Sequence, residues 1–142
     1  SGAGGKILQT IIVQKTDTTS HASGAARNDI SGMTVNITPS ATSSKIIITG
    51  QMQVLAYAQQ TVNFRIKLVK TVGGSDTDLQ EFLIYNTHGS GQLYPYNYSE
   101  VTFPYIDSPN TTSEILHLLH LQELDYNMRA EQTLLVVVQL CV

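Results

Sequence analysis

A chain of 142 residues and 15.5 kDa has room for one hydrophobic core and not two. Its 8 Lys and Arg against 11 Asp and Glu leave a formal charge of −3, which excludes the basic excess that binding a phosphate backbone demands. Hydrophobic residues make up 42% and charged residues only 13%, which excludes a disordered chain, and 28 Ser and Thr make the polar surface one of hydroxyls and amides.

Ser1 to Gly5 read as a flexible Gly-rich lead-in, and residues 6–142 as a single β-sandwich domain. Lys6 to Thr16 is the first predicted strand, with Ile7, Ile11 and Val13 on one parity and Leu8 and Ile12 on the other. Asp17 to Asp29 is small and polar and reads as a long loop. Met33 to Thr38 alternates cleanly, with Met33, Val35 and Ile37 inward, until Pro39 stops it and Ser40 to Ser44 turn the chain. Lys45 to Tyr57 is a longer strand whose start, Ile46-Ile47-Ile48, is apolar on both parities.

Thr61 to Lys70 places Val62, Phe64, Ile66 and Leu68 inward and Asn63, Arg65 and Lys67 outward. Gly73-Gly74 turns it into a hairpin partner at Leu79 to Tyr85. Asn86 to Tyr98 reads as an irregular loop. Val101 to Ile106 is a short strand whose Pro104 points to an edge or a bulge, and Asp107-Ser108-Pro109-Asn110 is a turn. Glu114 to Leu124 is read as a strand, with a helix as the competing reading because of its good helix formers. Thr133 to Val142 closes the chain across a connection at Asp125 to Gln132. Some eight strands at this spacing predict an all-β, antiparallel, two-sheet sandwich of the jelly-roll kind.

The chemistry-bearing residues form no catalytic set. His117 and His120 have the only metal-like spacing, but on a strand they point to opposite faces and cannot share an ion. Asp76, Asp78 and Asp107 lack a calcium-loop signature. Cys141 has no partner and reads as a small buried hydrophobe. No catalytic residue, metal site or cofactor is expected. No run approaches the ~20 apolar residues of a membrane helix, and no secretory signal is visible. A polysaccharide-cleaving enzyme would need a carboxylate pair in a cleft, and Glu81, Glu100, Glu114, Glu123 and Glu131 supply no evident one.

The order of segments resembles a known family. Gly4-Gly5-Lys6-Ile7-Leu8-Gln9, Thr16-Asp17-Thr18, the run from Ile30 to Ser40, Ala41 to Ile48, Phe64 to Leu68 and Ile106 to Thr112 are similar to a small β domain common in bacteriophage fibre-like virion proteins, notably of marine hosts. The resemblance implies a non-enzymatic virion structural protein, a tail-fibre or receptor-binding tip domain that attaches to the host surface. A capsid decoration or head-fibre protein is the nearer alternative, and a polysaccharide-degrading tailspike-type enzyme the more distant one. The partners it implies are further copies of the chain in a homotrimer, other virion proteins, and a host-surface glycan or protein. The apolar residues on both parities of Ile46 to Ile48 and Leu134 to Val138 likewise predict that one outer sheet face meets another subunit.

Tyr94, Tyr96, Tyr98 and Tyr105 fall within twelve positions around Pro95 and Pro104. Tyrosine rings supply large contact area at low entropic cost and stack on sugar faces without needing charge. Tyr94, Tyr96 and Tyr98 are therefore the candidate receptor contacts, and closure of the sandwich end or a subunit seam is the competing role for these rings.

Overall fold

The computed structural model describes residues 5–21, 27–57, 62–86, 96–123 and 128–141, and every regular element among them is a β-strand. In chain order these are β1 (Lys6–Lys15), β2 (Thr19–His21), β3 (Arg27–Ile37), β4 (Lys45–Tyr57), β5 (Val62–Val72), β6 (Ser75–Asn86), β7 (Tyr96–Asp107), β8 (Ile115–Glu123) and β9 (Met128–Cys141). Sheet A has the order β1-β9-β4-β7, with β2 also paired to β9, and sheet B has the order β3-β8-β5-β6. All pairings are antiparallel.

The pairing is nested. β5 pairs with β6, β4 with β7, β3 with β8, and β1 and β2 with β9, so the chain is one long hairpin wound over itself. This is the jelly roll expected from the strand spacing. Its innermost turn is Gly73-Gly74, with φ of 57° and 82°, the left-handed pair that a two-residue hairpin between Val72 and Ser75 requires.

β1 and β2 are two halves of one strand. Lys15 pairs with Thr133 and Thr19 with Ala130, so Thr16, Asp17 and Thr18 stand opposite only two residues of β9. The extra residue breaks the ladder and the alternation with it. The segment Asp17 to Asp29, expected to be loop, therefore contains β2 and the start of β3. β3 is bulged as well: its register shifts between Asp29 and Thr34, where Gly32 sits at φ 82°. The bulge buries both Ile30 and Met33, three apart, after which Val35 and Ile37 follow with the expected period of two.

The remaining differences lie at strand starts. β7 begins at Tyr96, inside the stretch Asn86 to Tyr98 read as loop, and β9 begins at Met128, inside the expected connection Asp125 to Gln132. Within the stretch Glu114 to Leu124, Ile115–Glu123 is strand and not helix, because both of its neighbours, β3 and β5, supply an antiparallel ladder. Such tertiary pairing overrides a weak helix propensity. β7 is the edge of sheet A, and Pro104 is exposed there, where its missing N–H breaks no ladder.

The core lies between the sheets. Sheet B contributes Ile30, Met33, Val35, Ile37, Ile66, Leu68 and Ile115, and sheet A contributes Ile46, Ile48, Met52, Val101 and Phe103. Ile66 and Leu68 occupy the inward positions expected of them, while the side chains of Val62 and Phe64 lie outside the described residues. Phe82 of β6 meets Phe103 of β7 across the sandwich, with ring centroids 4.9 Å apart.

Candidate interaction surfaces and a buried charge cluster

The alternation that fills the core also fixes what stands on the two outer faces. On sheet B, Ile66 and Leu68 point inward, so Arg65 and Lys67 point out, where Glu81 and Asp78 of β6 meet them. Lys67 Nζ lies 2.8 Å from Asp78 Oδ2 and 3.4 Å from Glu81 Oε2, and Arg65 Nε lies 3.6 Å from Glu81 Oε1. The carboxylate of Asp78, and then that of Glu81, hold the Lys67 ammonium above its ordinary range despite some desolvation. This face carries cross-strand ion pairs, as a solvent-facing sheet does.

Sheet A carries the opposite chemistry. In one row across the sheet, Ile12, Val136, Thr49 and Pro104 stand in register. The next row is Thr10, Val138, Ile47 and Ile106. Ile12 and Ile106 are each 64% exposed, and Ile7 is 61% exposed at the far end of β1. Two charges are described on this face. Lys45 precedes the inward Ile46 and donates from Nζ to Ser108 Oγ at 2.7 Å, just past the end of β7. Eight rows along, Glu100, next to the buried Val101, accepts a hydrogen bond from Gln51 Nε2. Of the two runs expected to be apolar on both parities, Ile46 to Ile48 has Ile46 and Ile48 buried in the core and Ile47 half-buried on the outer face, while the side chains of Leu134 to Val138 lie outside the described residues.

A third feature is internal. Lys70 and His117 are directly paired between β5 and β8, and both face the core near the end of the sandwich that holds the Gly73-Gly74 turn. Asp107, the last residue of β7, reaches them from the other sheet. Lys70 Nζ donates to Asp107 Oδ1 at 3.0 Å, and His117 Nε2 lies 3.5 Å from Asp107 Oδ2. His117 is 0% exposed and Asp107 is buried. Burial works against charge on Asp107, but His117 and Lys70 outweigh it and hold the carboxyl below its ordinary value of 3.8. The cluster ties the sheets together. With the imidazole fully enclosed, it offers no access to a substrate.

This cluster makes the Asp107 carboxylate a contributor to acid stability. A carboxyl with a lowered pKa in the fold stabilises the fold above its unfolded value and loses that contribution as pH falls through 3.8 and on through the folded value. Urea unfolding at a series of pH values from about 6 to 2 is expected to show a fall in stability that flattens in Asp107→Asn. An unchanged slope in the variant would remove Asp107 from this role.

Of the sequence-predicted sites, Tyr94 lies outside the described residues. Tyr96 and Tyr98 belong to β7, where they pair with Tyr57 and Leu55 of β4, so two of the three sit on a strand and not on a loop. They stand at one end of the sandwich, where His21 pairs with Met128 in sheet A and Val62 with Asn86 in sheet B. All four connections between the described segments join strands at this end. His117 and His120 are on a strand as expected; His117 is absorbed into the charge cluster. Asp76, Asp78 and Asp107 are not brought together, since Asp76 accepts from Thr71, Asp78 from Lys67 and Asp107 from Lys70. Among the described residues no group of three His, Cys, Asp or Glu is placed to hold a metal ion. No helix among them is long and apolar enough to cross a membrane. Sequence reasoning missed the inward turn of Lys70, because a lysine at a strand end reads as solvent-facing and its partner Asp107 is 37 positions away.

The nested pairing defines a jelly-roll sandwich, and three solved structures of one virus share it. No protein-family model and no curated protein matches the chain. A structure of the Gt strain of infectious bursal disease virus aligns with 93% of this chain at a TM-score of 0.57 and 12% identity. A mutant VP2 protein of the same virus, in derived T=1 particles, aligns with 93% at 0.53 and 13% identity. A VP2 subviral particle of that virus does so at 0.51 and 12% identity. The chain spans about a third of the length of each of these proteins, 35% to 36%. At such identities the shared property is the fold.

Proposed function

We propose that this domain is a non-enzymatic structural component of a virus particle, and within that class a bacteriophage tail-fibre or receptor-binding tip domain that attaches to the host surface. The observation that carries the reading is the jelly roll itself, a fold in which VP2 of a virus particle is the likeness. The resemblance of its turn and strand segments to phage fibre-like domains supports the finer assignment. One possible carboxylate pair is removed: Glu81 and Glu100 stand on the outer faces of opposite sheets, so they do not flank one cleft. Its partners are other copies of the chain, other virion proteins, and a host-surface glycan or protein. The resemblance implies a trimer; the charges on sheet A favour a different contact, argued below.

The receptor contacts are Tyr94, Tyr96 and Tyr98. Tyr96 and Tyr98 support this by their place at the sandwich end where β2, β4, β6 and β8 finish. Each ring contributes on the order of 1–2 kcal/mol when desolvated against a sugar or apolar group, so Tyr94→Ser with Tyr96→Ser is expected to weaken adsorption at least about tenfold at unchanged melting temperature. A lowered melting temperature, or unchanged adsorption, sinks the receptor site. Labelling of particles with an antibody to the domain separates tail from capsid: signal on the capsid surface alone replaces the tail-fibre reading with the decoration reading.

A further inference from the structure

We propose that the outer face of sheet A is a contact between two copies of this chain, packed face to face about a two-fold axis with their strands antiparallel. The inference rests on the proposed role in a particle that assembles from copies, and it names the surface and its symmetry.

The two outer faces differ in the way that a covered and an uncovered face differ. Sheet B carries the ion pairs of Arg65 and Lys67, whereas sheet A leaves Ile7, Ile12 and Ile106 between 61% and 64% exposed. Large apolar side chains exposed on one face, at both edges of the sheet, mark an interaction site. Its size fits a protein partner. Four strands about 4.8 Å apart and some nine residues long span roughly 20 by 30 Å, and side-chain relief brings this toward the roughly 800 Å² per partner that a stable interface buries.

The charges select the partner and its orientation. Lys45 stands at one end of the face and Glu100 eight rows away along β4, roughly 26 Å. A two-fold axis lying in the interface, perpendicular to the strands, places β7 over β7 with its direction reversed. Glu100 of one copy then meets the end of the other copy's β7, where Lys45 is held by Ser108. The pairing occurs twice by symmetry, and the axis passes near the row of Ile12, which faces its own copy. In a parallel arrangement about an axis along the strands, three-fold or two-fold, lysines would gather at one end and glutamates at the other, which like-charge repulsion opposes.

Sedimentation equilibrium of the 142-residue chain tests this. The expected species is twice the mass of one chain at micromolar concentration. Lys45→Glu alone and Glu100→Lys alone are each expected to weaken association about tenfold or more, and the double variant to restore it. Ile12→Asp is expected to give monomer; Ile12 is exposed, and an unchanged circular dichroism spectrum verifies the fold. A wild-type monomer at about 100 µM, a trimer, association unaffected by Ile12→Asp, or charge reversals that do not rescue each other would overturn the proposal. The virion labelling described above is independent: a monomeric domain found on the particle refutes this contact and leaves the proposed function standing, whereas a dimer absent from particles does the reverse.

Discussion

Replacing Asp107 with alanine is expected to destabilise the domain by about 3 kcal/mol, because it leaves the partly buried Lys70 ammonium, 17% exposed, without its counter-charge. The variant strands the Lys70 ammonium beside the enclosed His117 imidazole, two groups that Asp107 reaches from the opposite sheet. Denaturant unfolding measures the loss, and a change below about 1 kcal/mol would mean that the cluster does not hold the sheets together. The counterpart is a simultaneous change of Lys70, Asp107 and His117 to Met, Leu and Leu. Apolar residues of similar volume carry no desolvation cost, so the triple variant is expected to be near wild-type stability or above it. The contrast between single and triple variants distinguishes an uncompensated charge from lost packing.

Gly50→Ala is the second large effect, expected at about 3 kcal/mol. Gly50 and Phe103 are paired directly across β4 and β7, and the ring lies over the glycine. A Cβ at position 50 would stand 2.2 Å from Phe103 Cζ, 2.5 Å from Cε1 and 2.9 Å from Cε2. Phe103 is 1% exposed and packed on Phe82, so the ring has nowhere to retreat. Overfilling a close-packed core displaces side chains from their rotamers and moves the backbone. Phe103→Leu removes the clashing ring atoms, so Gly50→Ala with Phe103→Leu is expected to cost less than the sum of the two single changes. A neutral Gly50→Ala, or strictly additive effects, would show that the close approach does not constrain the core.

Much of this architecture is legible in the sequence where side-chain period and turn chemistry agree. The alternation of Met33, Val35 and Ile37, the bounds of β4 at Lys45 and Tyr57, the Gly73-Gly74 turn and the edge position marked by Pro104 are all local signals, and the structure follows them. What was not legible is what pairing at a distance imposes. β2 and the first half of β3 are polar and bulged, so they lack alternation and take their strand form from β9 and β8. β7 begins five residues before the expected Val101 because β4 continues to Tyr57 and pairs with it throughout. The charge cluster joins Lys70, Asp107 and His117 from three strands on two sheets, and each of the three has an unremarkable local context. The apolar face was legible as a double parity, but which sheet carries it required the register.

The ladder between β1 and β9 also decides how the domain bears load. Lys6 and Cys141 are partners at the same end of that ladder, so the described chain enters and leaves the fold side by side, about 5 Å apart. Tension drawn through these two points does not run the length of the sandwich. It crosses a single strand spacing, and the rest of the domain hangs to one side as a pendant. Any force large enough to act pulls across the strands and peels the ladder one hydrogen bond at a time from Lys6, the geometry of a zip and not of a lap joint. A surface of this domain held by a partner is therefore mechanically separate from any tension applied between Lys6 and Cys141.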